Sequence, residues 1–235
     1  MHLNFKNTMA DTQEEQGLNI EETLGKTEEF INKNKKSLMI IGGAIALAVA
    51  GYLYYQYSYV AGKERETQAQ MFRAEEYFKN DSLKQAINGD GNFPGFEEIT
   101  NEDGVSPSAN LAHYYLGMSY LKNKEYDKAI DELKSYSAKD QITSALTLGA
   151  IGDAYMELNN TDDAISYYEK ASKENVNNFT TPIFLMKLGA ALEAKGNYSE
   201  AADVYKRIKK DYSTTSEGQQ VERYLARAEA MAVTK

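Results

Sequence analysis

The 235-residue chain carries 26 Lys/Arg against 35 Asp/Glu, a formal net charge of −9, and no cysteine. The missing cysteines exclude disulfides, thiol catalysis and Cys-ligated metals, and the acidity argues against nucleic acid or anionic lipid as the main partner of the larger part. Only three Pro against abundant Ala, Leu, Lys, Glu and Tyr favour helix over long flexible linkers.

Residues 1–37 are polar. Within them 19–36, NIEETLGKTEEFINKNKK, reads as a short amphipathic helix. Asn19 offers an N-cap with Glu22 three residues on, and Ile20, Leu24, Phe30 and Ile31 form a thin apolar side. Residues 38–60, LMIIGGAIALAVAGYLYYQYSYV, hold no charge. As a helix they reach about 35 Å, enough for a bilayer core of about 30 Å. Leu38 to Val49 alone reach only about 18 Å, so the tyrosines belong to the membrane boundary, where a ring with a polar tip is favoured. A signal-peptidase cut after Ala50 is the competing reading. The long, partly acidic leader weighs against it, because the basic region of a signal peptide is short. Lys33, Lys35 and Lys36 precede the span, whereas Lys63 and Arg65 follow it amid Glu64 and Glu66. The Lys/Arg excess places the N-terminus in the cytoplasm and the rest of the chain outside it. Gly42, Ala46 and Ala50 recur at i, i+4 and i+8, a face on which another helix packs closely; the frequency of Gly and Ala in such spans is the plainer explanation.

Residues 61–109 read as a helical connector and a degenerate repeat, broken at Asn80-Asp81-Ser82, where Ser82 caps a new helix, and restarting near Pro94. Three segments then align over 110–220: LAHYYLGMSYLKNKEYDKAIDELKSY (111–136), LTLGAIGDAYMELNNTDDAISYYEKA (146–171) and IFLMKLGAALEAKGNYSEAADVYKRI (183–208). Gly117, Gly152 and Gly189 match; Ala129, Ala164 and Ala201 each follow by 12, and Leu133, Tyr168 and Tyr205 by 16. This resembles the tetratricopeptide repeat, a helix–turn–helix unit of 34 residues. The turns KNKEYDKA, LNNTDDA and KGNYSEA each pair a helix-stopping Asn or Gly with a new cap. Residues 221–235 supply a C-terminal capping helix, with Val221, Tyr224, Leu225, Ala228, Met231 and Ala232 on one side. The expected fold is all-α: one N-terminal transmembrane helix, then a tetratricopeptide-repeat α-solenoid.

No catalytic constellation, metal site or cofactor fingerprint emerges. His2 and His113 are the only histidines, and His113 sits inside a repeat helix as a packing residue. Asn88, Asp90 and Asn92 imitate a calcium loop, but Phe93 stands where glycine is needed and Ile99 where the bidentate Glu is needed. The better prospect is a protein-binding groove on the first helix of each unit. Its expected lining is Leu111, Tyr114, Met118 and Leu121; Leu146, Asp153, Met156 and Glu157; then Ile183, Met186, Ala190 and Glu193. Methionine adapts to varied apolar partners. The alternative is that several of these residues are simply core.

Polar leader, single span and repeats with a cap together resemble the YfgM-like family over 19–232. The resemblance implies an ancillary subunit of the SecYEG translocon at the bacterial inner membrane, with a periplasmic repeat domain and no enzymatic activity. It also implies contact with a PpiD-like periplasmic chaperone, and a role in recruiting that chaperone or holding emerging chains. A scaffold for another cell-envelope complex is the alternative.

Overall fold

The computed structural model describes residues 8–234, with side chains from residue 23 onward. The chain divides into two compact units, Met1–Tyr59 and Val60–Lys235.

The first unit is helical. Helix α1 spans Thr8–Tyr54 and is followed by a π-helical turn, Tyr55–Val60. Asn19 therefore lies inside a longer helix instead of capping a new one, and the side chains of Asn19, Ile20 and Glu22 fall outside the described residues. Thr27 Oγ1 and Asn34 Nδ2 satisfy themselves on the carbonyls of Thr23 and Phe30, four residues back, as polar side chains on an exposed helix can. Ile40, Ile45 and Leu47 are exposed. One N-terminal helix is long and apolar enough to cross a membrane. The turn's wider winding brings the Tyr55 and Tyr59 rings into a stack 5.4 Å apart.

The second unit is a succession of paired helices without a strand among the described residues. Its repeats are α5 (Pro107–Lys122) with α6 (Tyr126–Ser135), α7 (Gln141–Glu157) with α8 (Thr161–Glu174), and α9 (Thr180–Lys195) with α10 (Tyr198–Asp211). Helix α11 (Ser216–Val233) closes the array, burying Val221, Leu225 and Ala228 against the last pair. Pairing depends on the matched glycines. A methyl on Gly117 would sit 2.7 Å from Leu133 Cγ, one on Gly152 2.7 Å from the Tyr168 ring, and one on Gly189 would run into the Tyr205 ring. The bulky residue 16 positions on thus fills the space each glycine leaves. Ala129, Ala164 and Ala201 are completely buried at the same crossings.

The turns inside each pair repeat one geometry. Lys124, Asn159 and Gly196 take left-handed backbone conformations (φ 65°, 59° and 83°). The next residue's N–H then returns to the carbonyl of Tyr120, Tyr155 and Leu192 (2.9, 2.9 and 2.8 Å), closing each first helix with a Schellman-type bond. In the first of these turns the left-handed residue is a lysine, and the helix-stopping Asn is Asn123, the C-cap one residue earlier.

Helices α2 (Ala61–Lys79), α3 (Leu83–Asn88) and α4 (Phe96–Glu102) precede the repeats. Helix α2 ends as the repeat helices do: Asp81 has φ 57°, and the Ser82 N–H bonds the Tyr77 carbonyl at 2.9 Å. Tyr77 occupies the register of Tyr120 and Tyr155, Ala74 that of the matched glycines, and Ala86 follows by 12. Both alanines are completely buried. Ser82 stands at the N-terminus of α3, but its side chain makes no capping bond, contrary to expectation. Asp90 accepts from the Asn92 and Phe93 N–H groups and from the Tyr77 hydroxyl, each at 2.8 Å. This turn separates α3 from α4, so the second half of this pair is broken. Met71, Ile87, Phe96 and Ile99 carry the core on to Leu116 and Tyr120 of α5.

Candidate interaction groove

The first helices of the repeats carry all twelve expected groove residues. On α5, Leu111 and Leu121 pack against the N-terminal core, and Tyr114 and Met118 against the middle one; all four are half-buried. On α7, Leu146 and Glu157 are exposed, and Asp153 and Met156 are half-buried. On α9, Ile183 and Met186 lean on the C-terminal core, Ala190 is exposed, and Glu193 is half-buried. Both expected roles therefore fall on the same side chains, part core and part surface.

Four of the twelve meet in one open cavity of about 390 Å³: Leu121, Asp153, Met156 and Glu157. Lys122, Lys124, Tyr126 and Tyr168 complete its lining. The α9 residues and the upper part of α5 lie outside it.

The acids of this face are already engaged. Asp153 holds Lys187 Nζ of the next repeat at 2.6 Å through both oxygens and accepts from the Tyr168 hydroxyl at 2.7 Å. Burial, then the Asp153 charge and its hydrogen bond, push the Tyr168 phenol well above its usual range. Tyr126 donates to Glu157 Oε2 at 2.9 Å, and that bond raises its own pKa. Arg227 of the capping helix clamps Glu193 through Nε (3.2 Å) and Nη2. Lys122 is drawn to Asp81 at 2.7 Å and lies over the Phe78 ring. With these charges paired, Leu121 and Met156 are the side chains that remain to meet an apolar guest.

Lys187, Tyr126 and Arg227 were not among the expected groove residues. A register argument finds the first of them. Asp153 follows its glycine by one and Lys187 precedes the next by two, so stacking places them opposite each other. His113 pairs with Glu132 of α6 at 2.7 Å (Nδ1 to Oε2), half-buried between the helices. Among the described residues, no three His, Cys, Asp or Glu converge as a metal-holding group. Gly42, Ala46 and Ala50 are exposed on α1, and nothing lies within 4 Å of a methyl placed on Gly42.

Residues 96–141 and 150–214 match the tetratricopeptide repeat family. The chain is 31% identical over 128 residues to tetratricopeptide repeat protein 29 of Macaca fascicularis, covering 51% of this chain and 26% of that protein. It is 33% identical over 101 residues to the uncharacterized protein ycf37 of Guillardia theta, covering 41% of this chain and 55% of that one. It thus spans about a quarter and about half the lengths of these relatives. Two crystal structures of nearly identical TPR-like repeats from a kinesin-light-chain-like protein of Podosopora anserina, one of them carrying a single substitution, superpose with a TM-score of 0.56. They share 16% identity and cover 72% of this chain and 88% of theirs. The fold is that of a tetratricopeptide-repeat α-solenoid.

Proposed function

We propose that this is a membrane-anchored, non-enzymatic tetratricopeptide adaptor of the bacterial inner membrane, with its repeats in the periplasm. It stands beside the SecYEG channel, where it recruits a PpiD-like chaperone or holds emerging chain segments. The observation that carries this reading is one chain joining a membrane-competent helix to a repeat array whose first-helix face leaves Leu121 and Met156 beside an open cavity. Such a face suits an apolar helix or extended segment, in the helix-in-groove manner. The matched relative ycf37 is consistent with this reading without specifying it.

Affinity purification of the full chain from gently solubilised membranes tests the partner. Channel subunits should co-elute, and recovery without any of them would sink the translocon reading in favour of a scaffold for another envelope complex. Met156→Glu places a charge at the cavity's apolar side. It should lower partner recovery roughly tenfold with helicity unchanged, a loss of about 1.4 kcal/mol in binding.

A further inference from the structure

Helix α1 carries a repeat of its own. Leu24, Ile31, Leu38, Ile45 and Tyr52 stand seven residues apart. Thr27, Asn34, Ile41 and Ala48 each follow one of the first four by three. Positions alternating in this way line one narrow stripe of a helix, the seam along which two helices interlock as knobs into holes. The stripe runs for about four heptads, from the polar leader into the apolar segment without a change of register. The π-helical turn at Tyr55–Val60 winds more widely and ends it.

The apolar segment alone does not single out this stripe, because all its faces are apolar. The polar leader does. Between Thr23 and Ser37 the large apolar side chains are Leu24 (60% exposed), Phe30 (60%) and Ile31 (48%). Leu24 and Ile31 lie on the stripe, and Phe30 borders it. Lys26, Glu29, Lys33 and Lys36 all lie on the opposite side. These leader residues precede the span, so lipid does not cover them. Inside the span the border that carries Phe30 continues as Ser37, Ala44 and Gly51, again seven residues apart. A methyl placed on Gly51 meets nothing within 4 Å. Small side chains on this border let a second backbone approach.

We infer that a second copy of the chain packs along this stripe, parallel and in register, through leader and span alike. The inference rests on the reading of α1 as the anchor, since two copies crossing the membrane with one topology have parallel helices. Two features select an identical helix over an unrelated one. In a parallel pair each side chain of the stripe meets its own counterpart, so Asn34 meets Asn34 at one depth. Its Nδ2 donates to the Phe30 carbonyl at 2.8 Å. Its Oδ1 and second amide hydrogen are left to pair reciprocally with the other copy, which holds the register. At the borders Phe30 of one copy faces Lys35 of the other, a cation beside a ring, and Thr23 faces Glu28. No like charges oppose each other there. Pairing also takes Leu24 and Ile31 out of water. Two anchors held together tether two grooves at one point, so a partner offering two segments binds the second at raised effective concentration.

The chain holds no cysteine, so single cysteines report the seam directly. Leu24→Cys, Ile31→Cys and Ile45→Cys lie on the stripe; Lys33→Cys, Ala46→Cys and Leu47→Cys lie off it. Each is introduced alone in the full chain and co-expressed with the same variant under a second tag, and the membranes are oxidised with copper phenanthroline. The stripe positions should give a dimer holding both tags at roughly five times the yield of the others. Leu24→Ser with Ile31→Ser in the Ile45→Cys protein should lower its yield roughly threefold, with the circular dichroism unchanged. An unchanged yield would confine the contact to the span and overturn the continuous seam. Preferential crosslinking at 46 would move the contact to the Gly42, Ala46 and Ala50 face and refute the inference, as would even yields at all six positions. An adduct of another mass without the second tag would assign the stripe to a different membrane helix and refute it too. Alkaline carbonate extraction separates the two readings. Chains that resist extraction but show no seam keep the anchor and overturn the pair. Seam crosslinks in chains that are extracted keep the pair and overturn the anchor.

Discussion

Gly189 shows how little room the repeat leaves at its crossings. Its helix would gain about 1 kcal/mol from alanine by propensity alone. The added methyl, however, meets the Tyr205 ring, itself completely buried. Overpacking of a tight core costs about 1–3 kcal/mol, so steric exclusion outweighs propensity. Gly189→Ala should lower stability by about 1–2 kcal/mol, read as a fall in the thermal midpoint of roughly 4 °C. Gly62 in α2 is the control, with nothing within 4 Å of its added methyl, and Gly62→Ala should leave the midpoint unchanged or slightly raised. Tyr205 itself offers the converse case. Its hydroxyl is buried with no partner at hydrogen-bonding geometry among the described residues, and the nearby Arg227 guanidinium is already held by Glu193, so Tyr205→Phe removes a desolvated group while keeping the ring. Denaturant titration should find it neutral or more stable by up to about 1 kcal/mol; a clear loss would mean the hydroxyl has a partner after all.

At the scale of elements, the corner between α4 and α5 depends on one carboxylate. Asp103 accepts from the Val105 and Ser106 N–H groups at 3.0 and 3.1 Å and from the Thr67 hydroxyl of α2. Ser106 then caps α5 by accepting from Ala109 N at 3.0 Å. Burial alone would raise the Asp103 pKa; the Ser106 and Thr67 hydroxyls with the two N–H groups outweigh it and hold the acid at about 2. A folded-state value below the unfolded one, about 3.9, means the carboxylate stabilises the fold above pH 4 and loses that contribution as pH falls through 2. Asp103→Ala should therefore cost about 2 kcal/mol at pH 7, and the gap to the natural chain should narrow between pH 4 and pH 2 in urea titrations. This corner was not legible in the sequence, because Asp103 and Thr67 come together only through tertiary packing. The repeat pairs were legible, since glycine, alanine and aromatic positions recur at fixed offsets and each offset reports one steric contact. The pair built from α2, α3 and α4 was half hidden. Ala74, Tyr77 and Ala86 keep the register, but the Asp90 turn removes the bulky residue that should follow 16 positions after Ala74. Sequence spacing assigned the twelve expected groove residues to the first helix of each pair, and α5, α7 and α9 carry them. The repeat register could have paired Lys187 with Asp153, but nothing in the spacing pointed to Arg227 of the capping helix as the partner of Glu193.

The whole molecule joins two units with opposite relations to solvent. The repeat body buries much of its aromatic and aliphatic side-chain surface in three core clusters, whereas α1 leaves Ile40, Ile45 and Leu47 exposed. An apolar helix segment with none of its surface buried is at home in lipid. The proposed orientation rests on the flanks. Three lysines at 33, 35 and 36 precede the span, against Lys63 and Arg65 after it, and positive charge is retained on the cytoplasmic side. Acidic neighbours count for little in that rule, so Glu64 and Glu66 do not add to the contrast. A periplasmic repeat body predicts a defined labelling pattern in the cysteine-free chain. Asn101→Cys should react with a membrane-impermeant maleimide in intact spheroplasts, and Lys33→Cys only after lysis. The reverse pattern would put the groove in the cytoplasm, on the wrong side for segments leaving a translocation channel, and the adaptor role would have to be sought among cytoplasmic partners. Reaction of both positions before lysis would mean that α1 does not cross the membrane, and the groove would then act without a fixed distance from the bilayer.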